Sequence, residues 1–374
     1  GVPDPSDWSN WGNEVIEEAG DVMDFYIIHK YGFGSSESNI QTMLAEPQGS
    51  WQTIKSDIDA AFDQYAGGRR VPIAVTEYNL FAVEGQDTND RMSQAVNGLY
   101  LADTIGQMMK YEFDIANQWD LAHGDNSVPS RYGLMRANNY FRSPQYYVFP
   151  LWSRFGSEML PISSSHNAAT QLSVYAGRID PWTVSVMAIN KTGSQITTSI
   201  ALNGASANLP GGTADVVKAN SLNSTTVSFN GSNNPNDGLT NAPPINLGVI
   251  PNPMTYTFEP YSVTLLRLVV NADPGITQLV PPFAGVNESS SNKVLVVKGY
   301  NFTATCKVRW NGVDLATTYV SPTQLTAVIP KANISTIGSA NITVYSPDVE
   351  ASSDSQLFTV FPEVKWVYLP AILK

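Results

Sequence analysis

Three apolar runs in the first third of the chain each end on side chains suited to chemistry. "VPIAVTEYNL" (Val71–Leu80) closes on Glu77, set between Thr76 and Tyr78 and followed by Asn79. "DFYIIHKYG" (Asp24–Gly32) carries His29 and Tyr31 near its end, and "FDIANQWDL" (Phe113–Leu121) carries Asn117, Trp119 and Asp120. A carboxylate at a strand end acts as a nucleophile, a general base or a ligand. Tryptophan stacks on the apolar face of a sugar ring, while Asn and His hydrogen-bond its hydroxyls. Glycosidic cleavage normally takes two carboxyl groups, one as nucleophile and one as acid/base.

The elements that must position these groups follow from periodicity. Trp11–Ala19 reads as a helix and Asp24–Gly32 as a buried strand. Ser50–Ala66 is amphipathic, with Ser50 as its cap, Ile54, Ile58, Ala61, Phe62 and Tyr65 on one face, and Gly67-Gly68 as its stop. Val71–Val75 is the next strand, Asp90–Tyr111 a long helix and Phe113–Leu121 a third strand. Strand, helix and strand at this spacing predict parallel βα units, with each strand apolar on both faces because helices cover it. Chemistry in such folds gathers at the carboxyl ends of the strands. His29 and Tyr31 are two residues apart, so they share one face of their strand.

From about Tyr146 the pattern changes to short alternating strands such as "QLSVYAGR", "WTVSVMAINK" and "SVTLLRLVV", which predict an antiparallel β-sandwich. "NADPG" (Asn271–Gly275) is a linker, and a smaller β-sandwich follows it. The expected organisation is therefore multidomain, α/β plus all-β: residues 1–140 with the βα units, 141–271 as a β-sandwich, 275–361 as an Ig-like sandwich and 362–374 as an apolar tail. Asn230–Gly238 is rich in oxygen ligands but reads as a surface turn. The single cysteine, Cys306, permits no intrachain disulfide and reads as a buried strand residue.

Of the 374 residues, 43% are hydrophobic and only 14% charged, a balance common in secreted β-rich proteins. The formal net charge of -12 repels phosphate backbones and argues against nucleic acid as a partner. No run of 18 apolar residues occurs, so no transmembrane helix is expected. No cofactor and no metal is called for. The chain is expected at the cell surface or outside the cell.

"VPIAVTEYN" resembles the seventh strand of the clan A retaining glycoside hydrolases, the (β/α)8 or TIM-barrel enzymes, and within them the α-L-arabinofuranosidase-like families with their xylosidase and endoglucanase relatives. That resemblance implies Glu77 as nucleophile. "DFYIIHKYG" is similar to the sixth strand, which implies that His29 and Tyr31 contact substrate or orient the nucleophile. "ANQWDL" is similar to the eighth strand, with Trp119 as a wall of the sugar pocket, and the sandwich ending "YTFEPYSVTLLRL" to the β-domain after the barrel. Tyr78, Asn79 and Asn117 are further candidates for substrate binding; Tyr78 and Asn79 either line the site or turn the loop. "GYNF", "VRWNGVDL", "SPTQLTAVIP" and "ITVYSP" resemble an IPT/TIG immunoglobulin-like module, a spacer or surface-binding unit.

The chain departs from the barrel pattern in one respect. The family's acid/base glutamate follows an asparagine at the fourth strand, and Asn13-Glu14 lies instead inside the helical pattern "NEVIEEAG". The first four strands, and the fifth, have no counterpart, and three strands do not close a barrel. The expectation is the C-terminal portion of a (β/α)8 barrel, with a preceding segment or a separate chain supplying the other half and the acid/base. The rival expectation is a structural or adhesive cell-surface protein that forms filaments, with self-assembly through the Ig-like module. A third is a carbohydrate-binding module without catalysis.

Overall fold

A computed structural model describes residues 11–34, 37, 39–83, 85, 87–123, 132–137, 139–180, 182–203, 205, 207–270, 273–288, 290–347 and 350–364. The chain divides into two compact units, Gly1–Asn271 and Ala272–Lys374. The tail beyond residue 364 lies outside the described residues.

The first unit begins with α1 (Trp11–Ala19), followed by β1 (Tyr26–Phe33), α2 (Ile40–Ala45), α3 (Pro47–Tyr65), β2 (Ile73–Phe81), α4 (Ala95–Lys110) and β3 (Ile115–Gln118). The three strands form one parallel sheet in the order β1-β2-β3. Glu14 is exposed on α1, as its helical pattern predicts. Helix α3 starts earlier than the Ser50 cap suggests, because Pro47 at its first turn needs no N–H partner there. Ile54, Ile58, Ala61 and Phe62 are buried on it. Asp87 accepts from Arg91 N (2.7 Å) and Met92 N (2.9 Å), which starts the 3-10 turn Arg91–Ser93 ahead of α4.

The sandwich strand Thr183–Asn190 lies inside an antiparallel sheet ordered Ser228–Phe229, Gly211–Lys218, Ser262–Val269, Thr183–Asn190, Leu172–Asp180, Glu158–Leu160. One face packs on the pair Ile196–Ile200 and Met254–Phe258. The other face, with Tyr175, Met187, Ile189, Val217, Val263 and Leu265, shares a core with the helices and the parallel sheet. That double cover is why Val184–Asn190 is buried without alternation. Helix α4 is buried on nearly every side, and Gly106 lets it approach: a Cβ there would collide with the Tyr175 ring. Asp103 and Lys191, both fully buried, pair at 2.7 Å. Tyr175 Oη (2.6 Å) and Gln48 Nε2 (2.8 Å) donate to Asp103, and Lys191 Nζ also donates to the carbonyls of Leu44 (2.7 Å) and Ala168 (2.8 Å). Each charge in this network is therefore hydrogen-bonded on several sides, as burial demands.

The second unit packs two sheets around Leu295, Val297, Val308, Leu325, Ile342 and Phe358. Cys306 is buried among them, and its Sγ accepts from Thr303 N at 3.3 Å. Among the described residues no helix is long and apolar enough to cross a membrane.

Candidate active site

The site lies on β2, the middle strand. Its pairing with β1 runs Ile28↔Val75 and then His29↔Glu77, so β2 holds one extra residue at Thr76. The β3 side shows the same slip, from Val75↔Ala116 to Tyr78↔Gln118. This is a β-bulge, which bends a strand and re-aims the side chains beside it. The strand therefore does not stop at Val75, as its apolar run suggests, but passes through the bulge and pairs again as far as Phe81.

The bulge leaves the Glu77 side chain 29% exposed and the neighbouring His29 side chain 32% exposed. Tyr31 Oη donates to Glu77 Oε2 at 3.0 Å, and His29 Nδ1 lies 3.4 Å from the same oxygen. Burial raises the Tyr31 pKa well above the usual tyrosine value, and the bond to Glu77 and its negative charge add to this, as do Tyr132 and Asp120. The phenol thus stays protonated and remains a donor. Among the described residues Oε1 of Glu77 accepts no hydrogen bond, which leaves it for an incoming group.

Asn79 does not line an opening. It is fully buried: Nδ2 donates to Trp119 O at 2.7 Å and Tyr132 O at 3.2 Å, and Oδ1 accepts from Asn97 Nδ2 at 3.1 Å. It ties the end of β2 to the end of β3 and to the first turn of α4. Tyr78 is also removed from the site. Side chains alternate along a strand, and Tyr78, 2% exposed, falls on the helix side with Tyr100. Of the two expectations for Tyr78 and Asn79, burial fits the one in which they hold the strand end rather than line an opening. Asn117 is exposed on β3, on the face of Ile115.

Trp119 follows β3 with 43% of its surface exposed, although its backbone is held: its N–H donates to Tyr78 O at 3.2 Å and its carbonyl accepts from Asn79 and from Gln118 Nε2 (2.7 Å). An indole that is accessible on a pinned backbone suits a stacking wall. Strand β3 differs from the expectation that helices cover all three strands, because Ile115, Ala116 and Asn117 are exposed. Sequence reading passed over Tyr132, and it noted Asp120 only as a carboxylate at a strand end. Asp120 Oδ2 accepts from His123 Nδ1 at 3.0 Å, and the His123 ring meets Tyr132 edge-on at 5.3 Å. Tyr132 Oη donates to Ala82 O at 3.1 Å. No local pattern marks Tyr132, which reaches the site only through the fold. Among the described residues no group of three or more His, Cys, Asp or Glu is arranged to hold a metal ion.

Comparison with known proteins places this fold beside the glycoside hydrolases. The chain resembles in fold an α-L-arabinofuranosidase from Thermotoga maritima in complex with arabinose (17% identity, TM-score 0.51, covering 69% of this chain and 55% of that one). A second arabinofuranosidase matches at 15% identity and a TM-score of 0.51, over 70% of this chain and 56% of that one. A glycoside hydrolase family 44 endoglucanase from Clostridium acetobutylium matches at 14% identity and a TM-score of 0.50, over 72% and 52%. The chain thus spans about half the length of these structures. Residues 274–360 match the family model of the IPT/TIG domain. No curated protein sequence matches the chain.

Proposed function

We propose that residues 11–123 are the last three βα units of a (β/α)8 barrel and half of a retaining glycoside hydrolase site. The carrying observation is the Glu77 carboxylate, 29% exposed on the central strand and oriented by Tyr31 at 3.0 Å. Glu77 attacks the anomeric carbon and the leaving oxygen takes a proton from an acid/base carboxyl on the barrel half that these units lack. His29 and Tyr31 fix the nucleophile, and Trp119 stacks on the sugar. The substrate is a poly- or oligosaccharide of the arabinofuranoside, xyloside or glucan kind, met outside the cell or at its surface. Strand β3 is exposed on both faces, with Ile115 48% exposed, which supports the need for a covering half, since parallel strands are normally buried on both sides.

The test is trapping. With the preceding barrel half present, a 2-fluoro glycoside should leave its sugar on the peptide containing Glu77, read by mass spectrometry. The two carboxyl groups should lie about 5–5.5 Å apart. Labelling elsewhere, or a separation near 9 Å, overturns the retaining mechanism. The adhesive reading keeps one observation in its favour, the exposed uncharged edge of the second unit.

A further inference from the structure

Among the described residues, the two sheets of the second unit are each open at both ends. One runs Gly275–Val280, Lys293–Tyr300, Gln324–Ile329, Ala316–Ser321; the other begins with Phe283–Gly285 and finishes with Val313–Asp314. Unpaired edges invite pairing with another chain, and proteins blunt them with prolines, charges or short strands. Three of these edges are blunted. Gly275–Val280 lies between Pro274 and Pro281-Pro282, Phe283–Gly285 has three residues, and Val313–Asp314 has two and ends on an aspartate bonded to Arg309 at 2.6 Å.

Ala316–Ser321 is different. It has six residues, none of them charged, proline or glycine, and pairs regularly from Ala316 to Tyr319, with a single bulge at Val320; Tyr319 and Val320 are 39% and 52% exposed. The whole stretch Leu315–Pro330 carries no charge. An apolar strip leads to this edge on the outer face of the sheet, through the registered neighbours Val294↔Val328↔Ala316. Val294 is 58% exposed and Val328 37%. Residues 272–374 hold seven basic and seven acidic side chains, so the chain's net charge of -12 belongs to residues 1–271. Copies of the chain repel through the first unit and meet no such barrier at this edge.

We propose that Ala316–Ser321 pairs antiparallel with the same strand of a second copy, joining two four-stranded sheets into one. Facing is consistent with a two-fold axis through Thr318. Ala316 and Thr318 pair with Val328 and Thr326 on the outer face, while Thr317 and Tyr319 pair with the buried Ala327 and Leu325. With the axis at Thr318, that residue faces its own mate and Thr317 faces Tyr319, both ahead of the bulge at Val320. Thr–Thr and aromatic–β-branched pairs are favourable cross-strand neighbours. A single edge buries less than a standard interface of about 1,600 Å², so the association is weak and transient. It is independent of the catalytic reading.

The test is sedimentation of the full chain from about 5 to 500 µM, a range suited to weak dimers. The expected result is a concentration-dependent monomer–dimer equilibrium. Thr318 is exposed, so Thr318→Lys and Thr318→Glu should each keep the fold, checked by thermal melting. Each sets like charges on the axis and should weaken the dimer by at least roughly tenfold. An equimolar mixture of the two variants sets unlike charges there and should recover it. Val249→Lys, at a residue 71% exposed in the first unit, should change nothing. A monomer across the whole range overturns the proposal, as does a dimer that both variants leave intact or a mixture no better than either variant alone.

Discussion

The Tyr31 hydroxyl reaches across from β1 to donate to Glu77 Oε2 at 3.0 Å, although the residue that pairs with Tyr31 in the sheet is Asn79. The bond is diagonal. It depends on the bulge at Thr76, which puts Glu77 opposite His29 and within reach of the phenol two residues further on. One carboxylate oxygen thereby takes the phenol's hydrogen bond, and among the described residues the other accepts none.

Tyr31→Phe should separate positioning from stability. Losing a hydrogen bond to a charged group costs about 1.5–3 kcal/mol, so turnover in the complete barrel should fall roughly 10- to 100-fold. The same loss should lower the melting temperature by only a few degrees, about 2–4 °C per kcal/mol at this size, so the protein stays folded at the assay temperature while turnover drops. An equal loss in Tyr31→Phe and in a distant surface control would sink the positioning role.

Trp119→Ala should act on substrate affinity. Aromatic stacking is worth about 0.5–1.5 kcal/mol, which predicts a KM about 2- to 10-fold higher with little change in kcat. Since the indole is 43% exposed and the backbone bonds survive truncation, stability should shift by about 0.5 kcal/mol or less. Isothermal titration with an oligosaccharide checks the first point and urea unfolding the second.

Lys191→Met leaves the buried Asp103 charge without its partner. Breaking a buried ion pair in this way costs about 3–5 kcal/mol, and the network joins α4 to the sandwich, so unfolding should stay cooperative but occur at much lower denaturant. The double change Asp103→Leu with Lys191→Met should recover much of the loss, because no lone charge remains. A Lys191→Met protein as stable as the parent would show that water reaches the pair.

Alkali should unfold the first unit. Burial raises the pKa values of Tyr31, Tyr78, Tyr100 and Tyr175 above the usual value of about 10. The folded state then holds protons that the unfolded state releases. The stabilisation is complete below about pH 10 and is lost as pH rises toward the higher folded-state values. A spectrophotometric titration at 295 nm should show these phenols ionising late and together with loss of near-UV circular dichroism. Smooth ionisation from pH 9 with the fold intact would contradict it.

Local pattern made a good part of this legible. The order of helices and strands, the parallel βα character, the two β-rich segments and the buried Cys306 follow from periodicity, turn residues and composition, which are properties of neighbours along the chain. The clustering of Glu77, His29 and Tyr31 was also readable, because strands that run parallel bring their equivalent ends together. Other features were not written locally. The direction of Tyr78, the burial of Asn79 and the diagonal bond to Tyr31 depend on one inserted residue at Thr76, and a bulge has no fixed sequence signature. Tyr132 joins the site from over 50 residues beyond Glu77, and Asp103, Tyr175 and Lys191 meet only because α4 packs against the sandwich. Periodicity and end residues along the chain were enough to say which segments are helical or extended and which residue types end them. Tertiary structure decided which of those side chains face one another, because burial and hydrogen bonding are settled by partners distant in the chain that no local pattern names.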